Sequence, residues 1–379
     1  MPQHQVAVIG CGARLQSLLR HVARYPDRAT VTALVDPDDA SIKATQAVVG
    51  EQARRLESAQ DLARCHDIDW VMIGSPNALH REHAVAAMRA GKHVFCEKPL
   101  ATTIEDCIAI RDAAARTQRQ FVIGFTLRFS PHYRAIRKLL DEGVVGRLTT
   151  MEFSETLGFN HGGFIHQDWR RHTNIAGTHL LEKCSHDIDL ANWFVGARAK
   201  RVASFGGLSI FTQANAHLAQ AIGPDPKTGR PAYQGWPGSR ESPFRDDKDI
   251  VDHQVAIIEY ANGVRATFHT HCAAAIPERR MLLLGDRGAI RADVIAGRIE
   301  YARVGWDHAI HEAYTGASGG HGGGDEVLVR ELLDVMDGHT MPAATLDDGL
   351  ASAITCFAID HAMHAGNVVE LQPLWDQVA

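Results

Sequence analysis

Short apolar strands and one-sided helices alternate without interruption through the first 125 residues, which leaves few folds open. Gln5 to Ile9 read as a strand ending at Gly10-Cys11-Gly12-Ala13-Arg14, and Leu15, Leu18, Leu19 and Val22 then recur at helical spacing until Pro26 stops the pattern. Val31 to Val35 form a second strand ending in Asp36. A fully apolar strand, Asp69 to Gly74, closes at Ser75-Pro76-Asn77, and a helix follows from His80 to about Ala90. His93 to Cys96 is the next strand. Thr103 with Asp106 three residues on opens another helix, and Phe121 to Phe125 is a strand again. Such alternation predicts a doubly wound parallel sheet with right-handed crossovers.

The first strand–turn–helix unit has the form that cradles a dinucleotide. Gly10 allows the tight turn, Gly12 lets the backbone approach a pyrophosphate, and the helix start offers amide donors and a positive dipole end. Asp36, at the tip of the second strand, is placed to accept from ribose hydroxyls. A carboxylate there repels a 2′-phosphate, so NAD is expected in preference to NADP. Leu15 occupies the third glycine position and is expected to loosen the packing of helix on strand. Asn77 and Lys98 both fall just past strand ends, on the ligand side of such a sheet. Pro99 pushes Lys98 into an extended conformation, making this lysine a candidate catalytic ammonium.

Beyond residue 126 the pattern changes. Pro131 opens one more helix, and then strands dominate: Arg147 to Glu155, Arg201 to Phe211, Asp252 to Tyr260, Val264 to His271 and Met281 to Leu284, with hairpin turns at Ala261-Asn262-Gly263 and Asp286-Arg287-Gly288. The expectation is an N-terminal Rossmann domain, 1–125, and a C-terminal α/β domain, 126–379, built on a large open mixed or antiparallel sheet. The final helix is a candidate to pack back on the first domain. One face of such a sheet needs a cover, so a homodimer or homotetramer through it is expected. Residues 212–250 read as a long insertion without periodicity. On the helix from Thr178 to Val195, an apolar face (Leu181, Cys184, Ile188, Ala191, Val195) stands opposite Glu182, His186 and Asp189, with Lys183 beside them. Asp325, after the run Gly319-Gly320-His321-Gly322-Gly323-Gly324, is read as the N-cap of a helix reaching about Met336.

At 379 residues two domains are the natural expectation. A formal charge of -6 without a long basic run argues against nucleic acid or a membrane surface as partner. The seven scattered cysteines form no C-x-x-C pair, and no signal peptide or spanning segment precedes the first strand, so a cytoplasmic protein with free thiols is expected. Despite 22 histidines, no H-E-x-x-H spacing occurs. His179, Glu182 and His186 share a helix face, but Lys183 opposes a cation there, and no metal is expected.

Several segments together resemble the glucose-fructose oxidoreductase and inositol dehydrogenase family, Gfo/Idh/MocA. They are Val8-Ile9-Gly10-Cys11-Gly12, Ser75-Pro76-Asn77-Ala78-Leu79-His80, Ala90 to Ala101 with its Glu97-Lys98-Pro99, Leu127-Arg128-Phe129-Ser130-Pro131, and His186-Asp187-Ile188-Asp189-Leu190. The resemblance implies NAD-dependent oxidation of a sugar or polyol hydroxyl. It places Lys98, His186, Glu182 and Lys183 in the catalytic set. It implies cofactor contacts from Gly10, Cys11, Gly12, Ala13, Arg14, Asp36, Ser75, Pro76, Asn77, His80, Glu97, Lys98 and Arg128. Substrate contacts are expected from Lys98, Arg128, His161, Trp169, Lys183, His186 and His321. Glu182 stands where the family commonly has Asp, and Lys183 where many members are neutral; this ammonium is expected either to lower the His186 pKa or to bind a substrate hydroxyl. Two alternatives stay open: an NAD-dependent glycoside-cleaving enzyme working by transient oxidation and elimination, and a non-catalytic sugar or nucleotide sensor.

Overall fold

The computed structural model describes residues 3–234, 241–307, 309–314, 316 and 320–378. Contacts divide the chain into two compact units, Met1–Ser130 with Gly319–Ala353, and Pro131–Ser318 with Ile354–Ala379.

In the first unit β1 (His4–Ile9), β2 (Ala29–Val35), β3 (Arg54–Arg55), β4 (Trp70–Ile73), β5 (His93–Cys96) and β6 (Phe121–Ile123) form a six-stranded sheet in the order β3-β2-β1-β4-β5-β6. All its pairings are parallel. The order reverses between β1 and β4, the switch point where ligands bind outside the strand ends of such sheets. Helices α1 (Ala13–Val22), α2 (Asp39–Val49), α3 (His80–Arg89) and α4 (Ile104–Thr117) cover the faces. α1 buries Leu15, Leu18, Leu19 and Val22, the residues of the helical repeat. Thr103 caps α4 by accepting from the Asp106 amide at 3.1 Å. β6 is shorter than expected: the amides of Phe125 and Thr126 turn back onto Ile123 and Gly124, and the chain enters a 3-10 turn at Thr126–Phe129.

The division departs from the expected boundaries. Residues 126–130 and the segment from Gly319 to Ala353 group with the first unit. The helix Gly324–Met336 buries Leu328, Val329, Leu332 and Leu333, and Arg28 reaches Asp334 and Asp337 beside it. Its N-cap is Gly323, so Asp325 lies within the first turn and is not the cap. The final helix, Gln372–Asp376, belongs to the second unit, where the Trp375 indole donates to the Ala199 carbonyl at 2.8 Å.

The second unit holds a nine-stranded mixed sheet. Its strands are β7 (Leu148–Gly158), β8 (Ala199–Gly207), β9 (His253–Tyr260), β10 (Arg265–Ala274), β11 (Arg280–Gly285), β12 (Gly288–Asp293), β13 (Arg298–Arg303), β14 (His311–Tyr314) and β15 (Val369–Glu370). They run in the order β14-β13-β12-β11-β7-β10-β9-β8-β15, with β7 and β10 parallel and the other pairs antiparallel. Strands β12 to β14 extend the sheet past the strands expected from sequence. Helices α5 (Pro131–Asp141), α6 (Phe159–Gln167), α7 (Thr173–Ala176) and α8 (His179–Val195) belong to this unit, with α6 against β10 and α8 against β7. Alternation along β8 and β9 leaves Phe205, Val255 and Ile257 outward and 50–70% exposed, around a shallow depression of about 310 Å³. Within the insertion, Phe211, Tyr233, Phe244 and Ile250 pack with Ile165 of α6 into a small apolar core. Buried Asp252 anchors it by accepting from the amides of Ser209, Ile210 and Phe211. Residues 235–240 of the insertion and Gly319 lie outside the described residues.

Candidate active site

The glycine turn of the first unit is shaped by contact as well as by conformation. Gly10 has φ +86°, and a Cβ on it would lie 2.4 Å from the Ser75 amide nitrogen, so the loops after β1 and β4 can approach only with glycine here. At Gly12 a Cβ would meet nothing within 4 Å; this residue opens α1, and no side chain caps the helix. Uncapped amides over open space are what a pyrophosphate needs. The expected looseness at Leu15 does not arise. Leu15 is fully buried, and a Cβ on Gly74 would sit 2.5 Å from its side chain, so a glycine on the neighbouring strand supplies the missing room.

Asp36 holds the turn from the side. Its carboxylate accepts from the amides of Cys11 at 2.7 Å and Asp38 at 2.8 Å. The Cys11 thiol is buried, and burial with Asp36 nearby pushes it up to about 12, so Cys11 is a neutral part of the frame. Arg14 points away from the helix start and donates to Glu97 at 2.7 Å, Asp325 at 2.8 Å and Thr126 at 2.8 Å. Its charge is therefore matched by two carboxylates, and it ties α1 to Glu97 after β5 and to the helix Gly324–Met336.

The loops after β4 and β5 are braced together. His80 is buried, with Nδ1 2.8 Å from the Pro99 carbonyl and Nε2 3.0 Å from the Ser75 carbonyl. Burial lowers its pKa. Both nitrogens face backbone carbonyls, so His80 positions the two loops. Ser75 Oγ pairs with His83 Nδ1 at 2.9 Å, and Asn77 begins the next turn, buried. Glu97 is buried, Lys98 half-buried, and the Lys98–Pro99 peptide is cis. Arg128, expected among the ligand contacts, donates to the Ala343 carbonyl and to Asp348, pinning 343–348 onto the 3-10 turn.

In the second unit α8 is buried nearly all round. Glu182, His186, Asp187 and Asp189 are at most 8% exposed, so the polar stripe is not a solvated face. Thr178 caps the helix by accepting from the Leu181 amide. Glu182 accepts from Arg170 Nε at 3.1 Å, and Arg170 also pairs with Asp168 at 2.8 Å. The Arg170 guanidinium stacks over the rings of Trp169, at 4.3 Å, and Phe164, at 4.8 Å. Lys183 pairs with Glu155 at 3.2 Å. Arg279 reaches the same Glu155 at 3.1 Å and grips Asp187 with two donors at 2.8 and 2.7 Å. Against the cost of burial, Arg279 and Lys183 hold Glu155 far below the usual carboxylate range. Burial, with Glu155 adjacent, raises Asp187 to about 7. His161 is driven down to about 3 by burial and by Lys183, and is a neutral imidazole.

Lys183 is paired with Glu155, and its charge also helps to lower the His161 pKa. The histidine–glutamate–histidine set does not converge on a cation, since His179 turns to Thr270 and Cys272 while Glu182 binds Arg170. Among the described residues, the donors of Glu155, Cys184 and Asp187 lie within 4.8 Å of one another, but Arg279 already occupies both carboxylates. All seven cysteines are free and buried. Sequence reasoning missed Arg170, Glu155 and Arg279 as members of this cluster; the last two, on β7 and just before β11, are far apart in the chain and carry no local signal.

A six-stranded parallel sheet with a glycine cradle at its switch point and a carboxylate at the tip of β2 defines a dinucleotide-binding protein. Residues 4–125 match the GFO_IDH_MocA profile, described as an oxidoreductase family with an NAD-binding Rossmann fold, and residues 133–291 match its C-terminal domain profile. The chain belongs to the Gfo/Idh/MocA oxidoreductases. YteT of Bacillus subtilis is 23% identical over 356 residues, 82% of this chain and 83% of its own. Inositol 2-dehydrogenase 3 of Saccharopolyspora erythraea is 39% identical over 143 residues, covering 38% of this chain and 42% of that enzyme. Levoglucosan dehydrogenase of Pseudarthrobacter phenanthrenivorans is 32% identical over 211 residues, covering 54% and 50%. Among solved structures, a levoglucosan dehydrogenase in complex with NADH and levoglucosan has TM-score 0.80 at 20% identity, covering 98% of this chain and 100% of its own, and the Bordetella pertussis WlbA dehydrogenase with NADH and UDP-GlcNAcA has TM-score 0.74 at 19% identity, covering 97% and 98%. Among the described residues no helix is long and apolar enough to cross a membrane.

Proposed function

We propose that this chain is an NAD-dependent dehydrogenase of a sugar or polyol, with NAD preferred over NADP. The observation that carries the reading is the open glycine cradle with Asp36 beside it, at a sheet edge that also presents Glu97-Lys98-Pro99. The nicotinamide, when bound, accepts a hydride from the carbinol carbon. In the roles carried over from the family, Lys98 hydrogen-bonds the oxygen as negative charge develops on it, and His186 accepts the hydroxyl proton. Neutral His161, together with Arg170 stacked on Trp169 and held by Glu182, suits an uncharged polyhydroxylated ligand, because the cations nearby already have carboxylate partners. Inositol and levoglucosan dehydrogenases among the relatives support the substrate class. The test is a panel of sugars and polyols followed by NADH absorbance, with NAD and NADP in parallel; no turnover across the panel, or a strong NADP preference, would overturn the reading.

A second reading, glycoside cleavage through transient oxidation and elimination, is favoured by one relative, the 2,7-anhydro-N-acetylneuraminate hydratase of Escherichia coli, 25% identical over 287 residues. Release of aglycone without net NADH would select it. The apolar strip of Phe205, Val255 and Ile257 suits a second copy of the chain, and we read the protein as a homo-oligomer through this sheet. Light scattering that finds a monomer would remove that assignment.

A further inference from the structure

We propose that the cavity beside the first turn of α6 is a second sugar subsite, taking a hydroxylated ring joined to the one that is oxidised. The inference rests on the sugar-oxidation reading and deepens it: the substrate is a glycoside of disaccharide size.

The cavity encloses about 300 Å³ within the second unit, between the start of α6 and the stretch of the insertion from Ile222 to Ala232. Phe159, Ile222, Pro224, Pro226 and Pro231 form most of its wall. Flat C–H and ring faces of this kind suit the apolar face of a pyranose, and small-ligand sites join such walls to a few placed polar groups. The Asp225 carboxylate accepts from the Lys227 amide at 2.9 Å and the Thr228 hydroxyl at 2.7 Å, so its charge is used in closing its own turn. Asn160 is the polar group left for a ligand. It lines the same cavity, and among the described residues its buried Oδ1 meets no donor. A buried acceptor without a partner is costly, and a ring hydroxyl that donates to it removes the cost.

The walls are held in place without a ligand. A Cβ on Gly163 would lie 1.9 Å from the Tyr233 carbonyl oxygen, and one on Gly162 would lie 1.7 Å from the Cys272 carbonyl oxygen, so α6 is clamped between the insertion and β10. The Gln167 side chain donates to the same Tyr233 carbonyl at 2.9 Å. Tyr233 itself has φ 64°, a left-handed conformation that a bulky residue adopts at a cost, and its ring meets Phe159 edge-on at 5.2 Å. On the other side the turn from Asp225 to Arg230 is closed by two backbone bonds of 2.8 Å. Such a frame loses little freedom when a ring enters.

Placement ties the cavity to the candidate site. Asn160 is followed directly by His161, the neutral imidazole that feels the charge of Lys183, and neighbouring residues of a helix are about 1.5 Å apart along its axis. One end of α6 therefore carries both the expected substrate contact and the wall of the cavity. Ile222, 53% exposed, stands at the lip.

The experiment compares wild type, Asn160→Ala and Ile222→Glu, each loaded with NADH, for binding of glucose, maltose, cellobiose and phenyl β-glucoside by saturation-transfer NMR, with kcat/KM on the same four compounds and thermal melting alongside. The expected result is at least about tenfold tighter binding of one disaccharide than of glucose, a fall of that ratio toward unity in both variants, and an unchanged or raised melting temperature for Asn160→Ala, which removes an unpaired buried oxygen. Should Asn160→Ala fail to fold, Ile222→Glu at the exposed lip carries the test. Disaccharides that bind no better than glucose overturn the proposal, as does a ratio that neither variant changes. Tightest binding of phenyl β-glucoside, indifferent to Asn160→Ala, marks an apolar aglycone and overturns the hydroxylated ring. Disaccharide binding that depends on Asn160, with oxidation of none of the four, upholds the subsite and counts against the dehydrogenase reading alone.

Discussion

The cofactor end of the first unit and the α8 region of the second solve opposite problems. The first is built from backbone: Gly10, Gly12 and Gly74 create room, no side chain caps the start of α1, and Asp36 is the main side chain. The second is built from charge, with Glu155, Asp187, Lys183, Arg279, Glu182 and Arg170 neutralising one another in a buried setting. A site made of backbone is set by local conformation and leaves a contiguous trace in sequence. One made of buried charge depends on partners that meet only after folding, and each partner is costly to remove alone.

The comparison breaks most sharply at the proposed chemical groups. Lys98→Met and His186→Asn should each lower kcat by about 10²–10⁴-fold while NADH still binds, measured by NADH fluorescence beside steady-state rates. If both retain near-normal turnover, the assignment is wrong. Next is Arg279→Met, which leaves Glu155 and Asp187 buried without their shared cation; a loss of about 3–5 kcal/mol in denaturant unfolding is expected. By contrast, Gly12→Ala should leave stability untouched, because nothing lies within 4 Å of the added carbon, and should weaken NADH binding roughly tenfold, about 1.4 kcal/mol.

The smallest effect is on pH dependence. Asp187 has a raised pKa in the fold, so the stability it contributes is present at low pH and is lost as pH climbs through about 7. Glu155 is depressed, and its contribution is lost only in acid. Asp187→Asn keeps a donor toward Glu155 and cannot ionise. Its melting temperature relative to wild type should therefore rise between pH 5 and pH 8; a flat or falling difference would refute the raised Asp187 pKa.

The same contrast explains what could be read from the chain. Most of the order of strands and helices to residue 125, the glycine turn, Asp36 and the Lys98 strand end were legible because each is a local pattern with a conformational cause, whereas α2 and β3 were not read. The participation of His80 could be read as part of a motif, but not its use as a brace, since Pro99 and Ser75 meet only across two strands. The return of Gly324–Met336 to the first unit was illegible, because its apolar stripe says that the helix packs and not on what. Glu155 looked like an ordinary strand residue, and Arg279 falls outside the strand read from Met281 to Leu284. Strands β12 to β14 were passed over because their alternation is weak and their outward positions are charged.

Leu15 and Gly74 carry a wider lesson. At this contact the large residue stands on the helix and the small one after the facing strand, and the space for Leu15 is the space that Gly74 leaves. Each of the two positions is then hostage to the other: enlarging Gly74 alone should jam the interface, whereas pairing that change with a trimmed residue 15 should restore it.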